Sequence, residues 1–234
     1  MENTRRKFLK FAGVSALGLS SLSALNILKT ETAGAAAGDA TADPYALPEE
    51  ALTAVRWGMV IDTRKINNRI AQKIVKACHE AHNVPDFSDA SESWDSSANT
   101  RHEIKWIWNE TYDHVFPQKA DDFLAERLKN LPIPTLCNHC DNPPCVRVCP
   151  TKATFKREDG IVMMDFHRCI GCRFCMAGCP YGSRSFNFRD PRPAIENENK
   201  EYPTRMKGVV EKCNFCEERL AVGKQPACVE ASDG

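Results

Sequence analysis

Beyond residue 28 this chain of 234 residues has no apolar run long enough to cross a membrane, so any tie of that part to a bilayer must come through a partner. Net charge is also missing: 31 Lys and Arg offset 31 Asp and Glu. No basic stripe departs from that balance, which removes the electrostatic footprint of a nucleic-acid binder. Short catalytic signatures are absent as well. There is no Gly-x-Ser-x-Gly elbow, no phosphate-cradling glycine loop, no dinucleotide fingerprint, and no Cys-x-x-Cys followed by His for covalent haem attachment. His79, Glu80 and His82 imitate part of a zinc-protease motif, but Asn83 stands where its second histidine belongs. The sequence therefore predicts no substrate chemistry of its own.

What the chain has in excess is cysteine, twelve in all. Cys137, Cys140, Cys145 and Cys149 form one group, closed by Pro150; Cys169, Cys172, Cys175 and Cys179 form a second, closed by Pro180. The second reads Cys-x-x-Cys-x-x-Cys-x-x-x-Cys-Pro, the ligand run of a cubane iron–sulfur cluster. Thiolates at such spacings converge on one small anionic cluster, and a row of clusters conducts electrons. In two-cluster ferredoxins the fourth cysteine of each run ligates the other run's cluster. The expected ligand sets are thus Cys137, Cys140, Cys145 with Cys179, and Cys169, Cys172, Cys175 with Cys149. Four cysteines remain. Cys213, Cys216 and Cys228 lack a fourth member where Ser232 stands, and if they cross in the same manner, Cys78 supplies it. A further site, needing three sulfurs from the Ile66 to Cys78 stretch and one at Ser232, has then lost all four together. Three [4Fe-4S] clusters from twelve cysteines is the resulting expectation.

Other uses of these residues weigh against it. Six disulfides would suit an oxidising compartment, but cysteines three apart in a tight loop require strained geometry. Zinc ribbons use Cys-x-x-Cys pairs, yet two pairs do not explain runs of four. Cys78 alone is also compatible with a buried core thiol. His139, inside the first run, is expected beside a cluster or at the surface rather than as a ligand. Arg168, Arg173 and Lys212 abut ligands, where positive charge raises a cluster's potential; solvated surface charge is the competing reading.

The chain opens with Thr4-Arg5-Arg6-Lys7-Phe8-Leu9-Lys10, an apolar run from Phe11 to Leu28, and small residues from Ala33 to Ala37. This resembles a twin-arginine export signal, a route that carries proteins already folded around a cofactor. A cleaved signal and a retained anchor both stay open, although 18 residues is short for a span. The first thirty residues carry an excess of four positive charges, so the remainder is negative by four. A linker is expected from Asp39 to Pro48, a strand from Val55 to Ile61, and a helix from Ile66 to Ala81, where Ile66, Ile70, Ile74 and Cys78 recur every four residues. Residues 86–101 read as a polar loop, Ile104 to Trp108 as a strand, and Lys119 to Leu131 as a short helix stopped by Pro132. Ala153 to Phe155 and Ile161 to Met164 flank Asp159-Gly160 as a hairpin, and Phe186 to Phe188 gives another strand. Cluster loop, hairpin and cluster loop again make an α+β unit.

Cys-Asn-His-Cys-Asp-Asn-Pro-Pro-Cys-Val-Arg-Val-Cys-Pro from Cys137, together with Lys212-Cys-Asn-Phe-Cys216 and Gln225-Pro-Ala-Cys-Val-Glu-Ala231, resembles the iron–sulfur electron-transfer subunits that serve membrane oxidoreductases. The resemblance covers most of residues 52–234. It implies two pseudo-symmetric bacterial-ferredoxin-like halves, one inserted in the other: a signal and linker over 1–38, the first part of the outer half over 39–136, the inserted two-cluster half over 137–190, and the rest of the outer half over 191–234. With the export signal and the sulfur-free stretch before Cys78, the chain is similar to the DsrO branch, the exoplasmic subunit of the DsrMKJOP complex of sulfate reducers. That branch implies an NrfD-type integral quinone-reactive partner, a multihaem cytochrome c and a further membrane module reaching the cytoplasm, with the chain held at the exoplasmic, periplasmic face. The alternative is the electron-transfer subunit of a molybdopterin oxidoreductase acting on tetrathionate or polysulfide. Members of the family continue past the fourth ligand position into a closing strand, whereas this sequence stops at Gly234, so either the sequence is truncated or one edge is left unpaired.

Overall fold

The computed structural model describes residues 46–87, 102–119 and 125–232. The expected export signal, nearly all of the first linker and most of the polar loop at 86–101 lie outside them. The elements from Leu47 onward are short, with one exception. Helix α1, Asn68–Ala81, runs almost four turns because its apolar side chains fall on one face, and Asn67 caps it by accepting a 3.0 Å hydrogen bond from the Ile70 N–H. That face buries Ala71, Ile74 and Cys78 and packs on the helical turn Ala227–Ala231 and on strand β1 (Ile107–Glu110). Burying a side chain such as Ile74 contributes roughly 1.5–3 kcal/mol.

Three two-stranded antiparallel ribbons complete the scaffold. β1 pairs with β2 (Ile133–Leu136), β3 (Thr154–Lys156) with β4 (Val162–Met164), and β5 (Ser185–Phe186) with β6 (Val210–Glu211). The β3–β4 hairpin turns where expected: Gly160 sits at φ +87°, and the Arg157 N–H donates to the Ile161 carbonyl at 2.8 Å. The β5–β6 pairing is long-range and brings the stretch after Cys179 onto the stretch before Cys213.

Two expectations are corrected. Residues 55–61 form no strand; Val55 and Val60 are 94% and 95% exposed, and the backbone has no strand partner among the described residues. Trp57 and Met59 on the alternate face do pack against the core, but no neighbouring strand among the described residues supplies a hydrogen-bonded ladder. The strand expected from Ile104 starts instead at Ile107, where β2 begins to supply backbone partners, while Ile104 and Trp106 pack in the core beside α1. Of the expected 119–131 helix, residues 120–124 lie outside the described ones and Glu126–Lys129 forms a helical turn; the strand after Cys179 is Ser185–Phe186.

Cysteines belong to both main cores. Cys78 and Cys228 pack with Ile74, Ile104, Trp106 and Ile107; Cys145 and Cys175 pack with Ala153, Val162, Met164 and Val210. Between the strands lies a buried ion pair, Arg205 to Glu211 at 2.7 Å, with side chains 1% and 0% exposed. Glu211 also accepts from Trp106 Nε1 at 2.9 Å and from Asn187, so its charge is fully engaged.

Candidate iron–sulfur site

Three Cys-x-x-Cys loops share one backbone device. The residue just before the second cysteine turns left-handed in each: His139 at φ +42°, Gly171 at +71° and Phe215 at +64°. That bend carries the chain back on itself so that both sulfurs of the pair face the same side. A helical turn follows and delivers the next sulfur: Pro144–Arg147 holds Cys145, Phe174–Ala177 holds Cys175, and Ala227–Ala231 holds Cys228. Pro144 and Pro226 stand at or just before the start of the first and third turns, where a missing N–H is no loss. Among these three bends, only Gly171 is forced to be glycine by space as well as φ, because a Cβ there would come 2.5 Å from the Gly208 carbonyl oxygen.

The twelve thiols are all unbridged. Cys137, Cys140, Cys145 and Cys179 line one cavity, floored by Pro143, Val162 and Arg184. Burial raises the Cys140 thiol above its ordinary pKa, and the neighbouring Cys137, Cys145 and Cys179 push the same way. In the second group, burial raises Cys175 while the Arg184 charge opposes it, and Cys169 and Cys149 lie close enough to add to the rise. Cys149 is the exception. Burial works upward there too, but hydrogen bonds from the Thr154, Thr151 and Ala153 region hold its pKa below the usual value, and Thr151 Oγ1 is 3.7 Å from its sulfur. Cys172 sits half-buried in the same loop as Cys169.

Around the third group, burial drives Cys78 well upward, reinforced by Cys213, Cys216 and Cys228. Burial likewise pushes Cys213 to about 12, against the pull of Lys212, and raises Cys216 and Cys228. Cys78, expected from a helix stripe remote in sequence, thus comes together with the three C-terminal sulfurs. Its neighbour His82 is fully buried: Nδ1 donates to the Cys78 carbonyl at 2.8 Å, Nε2 meets Glu218 at 2.8 Å, and the ring stacks on Trp106 with centroids 4.6 Å apart. His82, Cys216 and Glu218 hold ligating atoms within 4.8 Å of one another, but both ring nitrogens of His82 already have protein partners.

The surroundings fit an iron–sulfur cluster. Buried thiols with raised pKa values are poor thiolates unless iron supplies compensating positive charge. His139 is buried, held neutral by burial and by the Lys212 and Arg184 charges, which depress its pKa to about 2. Its Nδ1 accepts from the Val162 N–H at 3.0 Å, which places the ring proton on Nε2, and that buried N–H has no partner. Lys212 is 1% exposed and donates to the carbonyls of Val162 and Cys213. Arg184 is 5% exposed and its Nη2 is unpartnered. Two buried cations and two orphan donors beside the cysteine sulfurs match a sulfur-rich anion.

The structure separates the three cations flanking the cysteines. Lys212 is interior, whereas Arg168 pairs with Asp165 at the surface and Arg173 lies exposed over the Phe186 and Phe188 rings, 5.4 and 5.6 Å from their centroids. Arg184 is missed by sequence reasoning, for no spacing rule points to a residue five positions past a closing cysteine. The His82–Glu218 contact is equally hidden, since it joins residues 136 apart.

A family model described as a 4Fe-4S dicluster domain matches residues 128–191. Among curated proteins, the Hdr-like menaquinol oxidoreductase iron-sulfur subunit 1 of Archaeoglobus fulgidus is 39% identical over 97% of this chain and 80% of its own length. The menaquinone reductase iron-sulfur cluster-binding subunit of Nitratidesulfovibrio vulgaris is 36% identical over 76% of this chain and 66% of its own. A tetrathionate reductase subunit of Salmonella typhimurium is 41% identical over 55% of this chain and 46% of its own length.

Proposed function

The chain belongs to the 4Fe-4S iron–sulfur subunits of membrane oxidoreductase complexes, electron carriers within those assemblies, and we propose that it passes electrons through three [4Fe-4S] clusters between a membrane quinone-reactive subunit and a cytochrome c partner, as a DsrO-type exported subunit of a sulfite-reduction-associated complex. The observation that carries this reading is the grouping of the sulfurs. Cys137, Cys140, Cys145 and Cys179 gather in one place, Cys149, Cys169 and Cys175 in another with Cys172 in the same loop, and Cys78, Cys213, Cys216 and Cys228 in a third. Such crossing supports two ferredoxin-like halves, one inserted in the other. The place of a fourth cluster is taken by hydrocarbon: Ile66, Ile70 and Ile74 line a cavity of about 160 Å³ with Ser232 and Cys228.

Each bound cluster supplies a one-electron couple. The protein's part is to hold the sulfurs, exclude water and place charge. The β5–β6 pairing ties the stretch after Cys179 to the stretch before Cys213, and Lys212 lies against sulfurs of both the first and the third groups. Among the described residues no helix is long and apolar enough to cross a membrane, which supports attachment through partners.

Iron and acid-labile sulfide in anaerobically purified protein test the count: about twelve of each is expected, and a value near sixteen would refute three clusters. The likeness to the tetrathionate reductase subunit favours a second reading, electron delivery to a molybdopterin protein. Co-purification from solubilised membranes decides: a multihaem cytochrome supports the first reading, a large molybdopterin protein the second.

A further inference from the structure

Arg184 occupies an unusual position. Its side chain lines the cavity of Cys137, Cys140, Cys145 and Cys179, and through Met164, which packs in one cluster with Cys175, it also borders the second group. Nη1 donates to Thr154 Oγ1 at 3.2 Å and lies 3.7 Å from Met164 Sδ, while Nη2 has no partner. No carboxylate pairs with it among the described residues. A guanidinium does not lose its proton in a protein, and burying it unpaired is expensive, so its place requires a negative partner. Thr154 and Met164 hold it but are neutral.

We propose that Arg184 is a positioning residue of the electron path, a permanent cation buried between the first two cysteine groups that sets their reduction potentials together. Its unpartnered Nη2 is available to cluster sulfur, and its charge favours the electron on either neighbour. Lys212 plays the matching part between the first group and the third: its Nζ donates to the Cys213 carbonyl at 2.5 Å, with the Cys137, Cys145 and Cys213 sulfurs close by. The first group is therefore bracketed by two cations and the outer groups are each served by one. A cluster held by the Cys137 group would thereby be the favoured resting place of an electron, taken up and passed on singly with no bond made or broken and no proton required.

This inference rests on the three-cluster reading. Purified full-length protein would be titrated with dithionite and followed by low-temperature EPR, with Cys78→Ala used to identify the third signal by its loss. Arg184→Met is expected to shift the first and second potentials downward and leave the third in place; Lys212→Met is expected to shift the first and third and leave the second. Arg184→Lys, which keeps the charge, is expected to hold both potentials near those of the unaltered protein. An Arg184→Met protein with full iron and all three potentials unmoved, or all moved equally, would overturn the proposal. Should Arg184→Met fail to load, a loaded Arg184→Lys protein whose first two potentials fall would overturn it as well. An iron-free unaltered protein would instead sink the cluster reading itself.

Discussion

Nε2 of His82 and the Glu218 carboxylate meet at 2.8 Å, joining the end of α1 to the helical turn that follows Cys216. Glu218 also accepts from Asn214 at 2.9 Å, so one carboxylate fixes both sides of the third sulfur group. Burial alone would raise its pKa, but the His82 contact and the Asn214 bond outweigh that, and the net direction is downward.

A carboxyl with a depressed folded-state pKa contributes stability that is present above its unfolded value and lost as pH falls through the folded one. Thermal melts of the unaltered protein and of Glu218→Gln should therefore differ most at neutral pH. The difference should shrink as the medium is acidified through the carboxylate range. A difference constant with pH would show that the charge of Glu218 is not what holds the loop.

Replacing Arg205 by Met leaves Glu211 charged and buried, with only Trp106 and Asn187 to satisfy it. Removing one partner of such a pair costs about 3–5 kcal/mol. Denaturant unfolding under anaerobic conditions measures it, and a loss below about 1 kcal/mol would mean that water enters the site.

Cys78→Ala should remove or convert only the third cluster, lowering iron from about twelve per chain while the other two EPR signals persist. Retention of a full set of four-iron clusters would make Cys78 a packing residue on α1 and nothing more.

At Gly171 two demands coincide, a left-handed backbone and a near approach to the Gly208 oxygen. Gly171→Ala should cost about 1–3 kcal/mol from backbone strain, with the collision in addition. Asn tolerates the backbone but not the collision, so Gly171→Asn should still lose iron from the second group. Normal iron in the Asn variant would mean the neighbouring turn at Gly208 yields.

Much of this site is legible in the chain because cluster ligation is written in local spacing. The two runs ending at Pro150 and Pro180 state their chemistry outright, and the Asp159-Gly160 hairpin between them follows from turn preference. The stripe ending at Cys78 forms a helix, and its thiol lies near enough to Cys213, Cys216 and Cys228 for them to raise its pKa. What escapes is whatever depends on depth. Lys212 and Arg173 look alike in sequence beside their cysteines, yet one is interior and the other lies on the surface. Arg184 and Glu218 acquire their parts only when distant loops close over them. Residues 55–61 mislead for the opposite reason: Trp57 and Met59 alternate and pack inward, but with no strand beside them among the described residues the pattern makes no sheet.

The isoleucine face of α1 has a further consequence. Beyond Cys228 in that direction lie Ile66, Ile70 and Ile74, saturated side chains that accept no electron. On the three-cluster reading the row of acceptors would end at this face, with no fourth cluster past Cys228 to relay an electron further along α1.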